Sequence, residues 1–150
     1  MIQMRHVGIY VRDLVRMQEF YQKVFRMHRI CDKIALENAL LPALTGAGGA
    51  QIHMTKLITE QGRVSGHGDM VELLAMTPQS VGSGKKGTGI HDITTPGHIH
   101  LCFGVDDLAK TLREIARCGG TVIIDTISVE NGRKCAFAAD PEGNLLELIQ

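Results

Sequence analysis

The sequence contains no tryptophan, only two tyrosines and four phenylalanines, and no excess of charge of either sign. Sixteen basic residues balance sixteen acidic ones, and no basic stripe interleaved with aromatic residues is available to hold a phosphate backbone. Nucleic acid is therefore not an expected partner. No apolar run approaches the roughly 18 residues that a membrane-spanning helix requires, so a membrane is not an expected partner either.

Cysteine is also scarce and scattered. Its four occurrences include no CxxC pair, which excludes the usual ligand spacing of a structural zinc site. A chain of 150 residues buries roughly 68–70% of its unfolded surface, so its core needs no disulfide. The N-terminal MIQMRHVGIYV lacks the charged-then-apolar pattern of a signal peptide. We therefore expect a protein of the reducing cytoplasm. The cysteines are Cys31, Cys102, Cys118 and Cys135.

An internal repeat is the most informative pattern in the sequence. HVGIYVRDL at 6–14 and HLCFGVDDL at 100–108 agree at four positions with a constant offset of 94 residues. Each copy also finishes on an apolar-Glu-Leu stretch, centred on Glu72 in the first copy and on Glu147 in the second. The chain is therefore predicted to be two copies of one module. The four matched pairs are His6 and His100, Val11 and Val105, Asp13 and Asp107, and Leu14 and Leu108.

Both copies predict the element order βαβββ, and hence an α+β fold. Apolar residues recur at helical spacing over 14–25 and 108–118, each time after an aspartate suited to cap a helix. Residues 77–97 are rich in Gly, Ser, Thr and Pro, which predicts a linker between a first module at 1–76 and a second at 98–150. The predicted strands cover about 4–11, 28–36, 51–59 and 69–76, then about 98–105, 121–128, 133–139 and 145–149.

The stretch HIHLCFGVDDL offers two histidines on one strand face, and alternation alone does not choose between them. The repeat does choose, because His6 corresponds to His100, whereas His98 falls opposite Met4. A thioether cannot replace an imidazole as a ligand for a hard or borderline cation. We therefore prefer His100, on the face away from its apolar neighbours.

The two glutamates follow the same logic. Glu72 lies between Val71 and Leu73, and Glu147 between two leucines, so each carboxylate is expected on the face opposite its apolar neighbours. Each module thus offers one imidazole and one carboxylate. Two of each suit a divalent first-row metal such as Zn²⁺, Ni²⁺, Co²⁺, Mn²⁺ or Fe²⁺. Four such ligands would leave about two octahedral positions for water or an oxygen-bearing substrate, as a Lewis-acid site requires.

Beyond these patterns, the chain resembles the vicinal oxygen chelate superfamily, which includes glyoxalase I, methylmalonyl-CoA epimerase, extradiol dioxygenases and the bleomycin and fosfomycin resistance proteins. RHVGIYVRDLVRMQEFYQKVF resembles the opening strand and helix, DMVELLAM the fourth strand, HIHLCFGVDDLAKTLREI the second opening, and DPEGNLLELIQ the terminal turn and strand. The resemblance implies tandem βαβββ modules forming a curved mixed sheet around a metal. Its implied ligands are His6, Glu72, His100 and Glu147.

A carboxylate at both module ends favours the glyoxalase and epimerase branch over extradiol dioxygenases, which have a two-His, one-carboxylate iron site. This branch implies a lyase or isomerase that acts on a small molecule through an enediolate or enolate. Glu147 is the first candidate for the base that moves the proton, as a displaceable ligand, and Glu72 is the second. Tyr10 and Met76 stand where bacterial glyoxalase I has an arginine and an asparagine that help hold glutathione, so a glutathione substrate is weakly supported.

Several further interpretations stay open at this point. The alternatives to a lyase or isomerase are a protein that binds a small molecule without metal chemistry, as some resistance members of the superfamily do, and an extradiol-type dioxygenase. The resemblance also implies a homodimer, whose modules pair either within one chain or between two. His53 is either an auxiliary acid or base or, with about twice the weight, an ordinary strand histidine; a buried Cys102 is more often a small apolar filler than a functional thiol.

Overall fold

The protein is described here from a computed structural model. The structure describes residues 2–36, 51–77, 96–129 and 132–150, so residues 37–50 and most of the predicted linker at 77–97 lie outside the described residues. The chain divides into two compact units, Met1–Ser83 and Gly84–Gln150. In the described ranges no helix is long and apolar enough to cross a membrane.

The described residues of the first unit form four strands and two helices. Its sheet has the order β1-β4-β3-β2, with β1 parallel to β4 and the other neighbours antiparallel. The first and last strands of the module are therefore hydrogen-bonded partners at one side of the sheet. In chain order the elements are β1 (Val7–Tyr10), α1 (Leu14–Phe25), β2 (His28–Leu36), β3 (Gln51–Ile58), α2 (Glu60–Ser65) and β4 (Met70–Thr77).

The second unit repeats this arrangement. Its sheet has the order β5-β8-β7-β6, again with one parallel pair, β5 and β8. The α+β class and the two βαβββ modules predicted from the repeat are thus confirmed, each module forming its own four-stranded mixed sheet. The elements are β5 (His100–Gly104), α3 (Leu108–Arg117), β6 (Thr121–Ser128), β7 (Lys134–Ala139) and β8 (Leu145–Ile149).

The repeated aspartates cap the two main helices, as predicted. The Asp13 carboxylate accepts a hydrogen bond from the backbone N–H of Arg16 at 3.0 Å, and the Asp107 carboxylate accepts one from Lys110 at 2.8 Å. Each carboxylate satisfies an N–H group that has no partner inside the first turn. The aspartates of the repeat therefore fix where each helix begins after its strand.

Alternation along the strands separates two faces of each sheet. In the first unit α1 contacts β3 and β4, and Leu57 and Leu73 on that side are fully buried. In the second unit α3 contacts β6 and β7, and Leu146 and Leu148 are fully buried. Because neighbouring residues of a strand point to opposite faces, Glu72, next to Leu73, and Glu147, between Leu146 and Leu148, lie on the other face. We call that side of each sheet, which carries Glu72 or Glu147, its open face.

Two strands begin more than one residue later than predicted, and one helix was not predicted at all. The strands expected at about 4–11 and 98–105 begin only at Val7 and His100, and Ile99, whose alternation with His100 predicts it on the core side, is 60% exposed. The helix α2 was not predicted, since EQGRVS is too short for apolar periodicity. It is held by Thr59, whose hydroxyl accepts a hydrogen bond from the backbone N–H of Gly62 at 3.0 Å.

Truncation of a helix-facing residue is expected to destabilise the first unit. Leu57→Ala should lower the free energy of unfolding by about 2–5 kcal/mol, because it removes buried methyl groups and leaves a cavity. The matched control Val15→Ala, at a position 51% exposed on α1, should change it by less than about 0.5 kcal/mol. Urea unfolding followed by circular dichroism measures both. Equal effects of the two substitutions would contradict the assignment of Leu57 to the core.

Candidate metal centre

His6 and Glu72 meet on the open face of the first unit. The parallel register of β1 and β4 aligns Gly8 with Glu72, and His6 precedes Gly8 by two residues. The His6 Nε2 atom lies 3.2 Å from Glu72 Oε2, and 34% of the imidazole and 13% of the carboxylate side chain are exposed. A Cβ atom at Gly8 would lie 3.7 Å from Glu72 Oε2, an ordinary contact distance, and 3.3 Å from Leu74 Cδ1, so a larger residue there would crowd Leu74 first.

Glu72 has a second partner in the adjacent strand. The antiparallel register of β3 and β4 sets Lys56 directly opposite Glu72, and the Lys56 Nζ atom lies 3.2 Å from Glu72 Oε1. One carboxylate oxygen therefore contacts an imidazole and the other an ammonium. This arrangement fixes both oxygens of Glu72 on a face that is otherwise largely apolar.

The apolar part of this face is a cluster of Ile52, Met54 and Leu74, with Cys31 and Met76 packed against it. Met76 is one of the two residues that depart from the glutathione-holding pattern, and it packs here among apolar neighbours. The other, Tyr10, is 60% exposed. In the first unit the Glu72–Lys56 pair therefore lies beside an apolar surface that includes Met76.

His100 and Glu147 form the corresponding pair in the second unit. The parallel register of β5 and β8 aligns Cys102 with Glu147, and His100 again precedes the aligned residue by two. The His100 Nε2 atom lies 2.9 Å from Glu147 Oε2, with 47% and 22% of the two side chains exposed. The Phe137 ring packs against the imidazole in a T-shaped arrangement, with the ring centroids 6.5 Å apart.

Two thiols lie beside Glu147, whereas in the first unit an ammonium lies beside Glu72. Cys135 Sγ lies 3.6 Å from Glu147 Oε1, at hydrogen-bond distance for sulfur. Partial loss of hydration, and then the nearby Glu147 carboxylate, raise the pKa of the Cys102 thiol to about 11. Burial, with Glu147 again beside it, also raises the pKa of Cys135. Both thiols are therefore neutral near pH 7 and act toward the carboxylate as weak donors.

The predicted residues thus come together as two pairs, one in each unit. His6 meets Glu72, and His100 meets Glu147; that all four share one ion stays a prediction. Over 2–36, 51–77, 96–129 and 132–150, no group of three or more His, Cys, Asp or Glu side chains is close enough to hold a metal ion. His53 lies opposite Ala75 in the register, on the face away from Glu72. This position favours the interpretation of His53 as an ordinary strand histidine.

Sequence reasoning missed two neighbours of the glutamates, Lys56 and Cys135. Alternation in QIHMTKLI separates Lys56 from the buried Leu57 and was available as a signal. It does not tell which residue of the next strand stands opposite, because that depends on the pairing register. The register is what joins Lys56 to Glu72.

A family model described as the Glyoxalase/Bleomycin resistance protein/Dioxygenase superfamily matches residues 3–148. The chain belongs to this superfamily. A glyoxalase family protein from Bacillus cereus has a similar structure, with a TM-score of 0.81, 19% sequence identity, and coverage of 99% of this chain and 93% of that one. This likeness establishes the fold that the two modules share with the superfamily.

Two further relatives carry the name of an activity. A glyoxalase I variant from Zea mays is 25% identical with a TM-score of 0.62, over 99% of this chain and 44% of the maize chain. A protein named "Probable lactoylglutathione lyase" from Vibrio parahaemolyticus is 40% identical over 52 residues, which cover 34% of this chain and 38% of that protein. The matched region is thus less than half the length of either relative.

The environment of Cys102 predicts slow alkylation in spite of its exposure. A pKa raised from 9.0 to about 11 lowers the thiolate fraction at pH 8 by about 100-fold, and the greater nucleophilicity of a more basic thiolate restores part of this. In metal-free protein, Cys102 should react with iodoacetamide about tenfold more slowly than in the urea-unfolded chain. Peptide mass spectrometry measures the rate. Glu147→Gln should speed the reaction, with Glu114→Gln as control; a normal rate in the folded wild type would contradict the raised pKa.

Proposed function

We propose that the chain is a metal-dependent lyase or isomerase of the glyoxalase type, acting on a small molecule with a carbonyl next to a removable C–H proton. The observation that supports it most is the repeated register, with an imidazole and a carboxylate 3.2 Å apart in one unit and 2.9 Å apart in the other. Membership of the superfamily and the likeness to maize glyoxalase I support the same reaction class.

The donor set fits a divalent first-row metal. Imidazole nitrogen and carboxylate oxygen are ligands for Zn²⁺, Ni²⁺, Co²⁺, Mn²⁺ and Fe²⁺ alike. In both units the contact joins histidine Nε2 to glutamate Oε2, so the same two donor atoms are adjacent. We infer that His6, Glu72, His100 and Glu147 together bind one such ion. When bound, it supplies positive charge that polarises a substrate carbonyl and stabilises the oxyanion of an enediolate or enolate.

The two carboxylates are suited to different roles. The Lys56 ammonium lies 3.2 Å from one oxygen of Glu72, and the attraction of opposite charges in this ion pair holds that carboxylate in place. Among the described residues, no lysine or arginine pairs with Glu147, and besides His100 its neighbours are two weakly donating thiols, Cys102 and Cys135, the latter 3.6 Å from Oε1. Glu147 exchanges its partners at lower cost. It is therefore the first candidate to take the substrate proton, and Glu72 the second.

Metal content is the first test of this function. Protein purified without chelator, or reconstituted with Ni²⁺, Co²⁺, Mn²⁺ or Zn²⁺, should bind about one equivalent, because the four ligands form a single site. His6→Ala and His100→Ala should each weaken binding by about tenfold or more, since each removes a ligand. His67→Ala, at an exposed histidine after α2, is the matched control.

Mass spectrometry of the metal and a competitive chelator titration measure these changes. Less than about a tenth of an equivalent, with no gain on reconstitution, would contradict the enzyme and favour a metal-free binding protein. Light scattering of the same preparation tests the expected homodimer.

Proton transfer is the second test. A panel of small carbonyl compounds incubated in heavy water with the reconstituted protein should reveal exchange at the carbon beside the carbonyl. Glu147→Gln should lower that exchange rate by about 10²–10⁴-fold, since it removes the proposed base. The matched control Glu114→Gln removes a carboxylate paired with Arg117 at 2.6 Å on α3 and should leave the rate unchanged. Full exchange by Glu147→Gln with metal bound would exclude Glu147 as the base.

A further inference from the structure

We propose that Lys56 is a specificity-determining residue that binds a carboxylate group that the substrate carries in addition to the carbonyl that reacts. The inference rests on the proposed function, because it takes His6 and Glu72 as ligands of the metal. It goes further by naming the substrate class: small carbonyl compounds that carry a carboxylate.

The position of Lys56 in the sheet directs it to the site. It lies in β3, and its neighbours in the strand, Thr55 and Leu57, are fully buried on the helix side. Lys56 therefore emerges on the open face, opposite Glu72, with 27% of its side chain exposed. Its ammonium contacts the same carboxylate as His6, from the other oxygen. A substrate group that binds near the His6–Glu72 pair consequently lies close to the Lys56 ammonium.

The ammonium keeps donors that a ligand can use. A lysine ammonium has three N–H donors, and among the described residues the sole bonding partner of Lys56 Nζ is Glu72 Oε1. The same face carries the apolar cluster of Ile52, Met54 and Leu74, which offers no side-chain oxygen. An ammonium beside apolar surface binds an anion more strongly than one in bulk water, because the competing hydration is reduced. Two donors of Lys56 thus remain for an anionic group.

The charge of the proposed site also favours an anion. Glu72 and Glu147 carry two negative charges, whereas Lys56 and a bound divalent cation would carry three positive charges together, an excess of one. A neutral carbonyl compound leaves this excess unbalanced, and a carboxylate reduces it. Lys56 is compact and strongly charged, which suits recognition of a small oxyanion.

The second unit shows that the histidine–glutamate pair does not require a lysine. Phe137 occupies the register position opposite Glu147 that Lys56 occupies opposite Glu72. His100 and Glu147 nevertheless approach to 2.9 Å, closer than the 3.2 Å of His6 and Glu72. A lysine is therefore not needed to hold the glutamate next to its histidine. Recognition of a ligand explains why the first unit has Lys56 at this position.

Calorimetric titration with a matched probe pair tests the inference. The probes are succinic acid monohydroxamate and the corresponding hydroxamate that ends in an amide; both offer two adjacent oxygens to Zn²⁺, and only the first carries a distal carboxylate. Zn²⁺-loaded wild-type protein should bind the carboxylate probe about tenfold more tightly than the amide probe. Lys56→Met should reduce this ratio to about one while leaving the amide probe within about twofold of wild type.

Two further variants separate recognition from a structural role. Lys56→Arg keeps the charge and should keep part of the preference. Lys23→Met breaks an exposed lysine–glutamate pair at 2.8 Å on α1 and should keep all of it. If Lys56→Met weakens both probes equally, or wild type shows no preference although Zn²⁺ is bound, the inference is wrong and Lys56 only positions Glu72. Absence of Zn²⁺ uptake by wild type would instead overturn the proposed function, and this inference with it.

Discussion

Parallel pairing of the first and last strands of each module is the constraint on which the candidate site depends. In this pairing a residue of β1 or β5 lies beside a residue of β4 or β8 that is far away in the chain. The register is the same in both units: Gly8 beside Glu72, and Cys102 beside Glu147. A histidine two positions earlier therefore reaches the carboxylate on the same face. A slip of one residue would turn each glutamate toward the leucine-lined side.

The two modules share this backbone arrangement but differ in what surrounds the carboxylate. Next to Glu72 there is a glycine in β1 and a lysine in β3; next to Glu147 there is a cysteine in β5 and a phenylalanine in β7. One carboxylate consequently pairs with an ammonium, and the other lies beside weakly donating thiols, with an aromatic ring against its histidine. A repeated fold thus provides two carboxylates of the same chemical type with different partners.

Much of the fold and part of the candidate site could be predicted, because they depend on local sequence patterns. The bounds of α1, the capping aspartates and the opposite orientation of Glu72 and its leucine neighbour follow from residues close in sequence. The His–Glu pairs followed from comparing the copies with each other. The contact of Lys56 with Glu72 could not be predicted in this way, because it depends on how β3 aligns with β4 across the α2 connection. A six-residue helix without apolar periodicity, such as α2, also leaves no such pattern.

The division of each sheet into two faces explains how a charged site is compatible with a stable module. Leu57, Leu73, Leu146 and Leu148, all fully buried, provide the hydrophobic contribution on the helix side. The open face can then carry imidazoles, carboxylates and an ammonium, whose desolvation costs free energy unless they are paired. In the first unit that pairing takes place beside the cluster of Ile52, Met54 and Leu74. Lowered hydration there strengthens each ionic contact. In these surroundings an unpaired charge is costly, and for the same reason an anion that binds to the ammonium is strongly attracted to it.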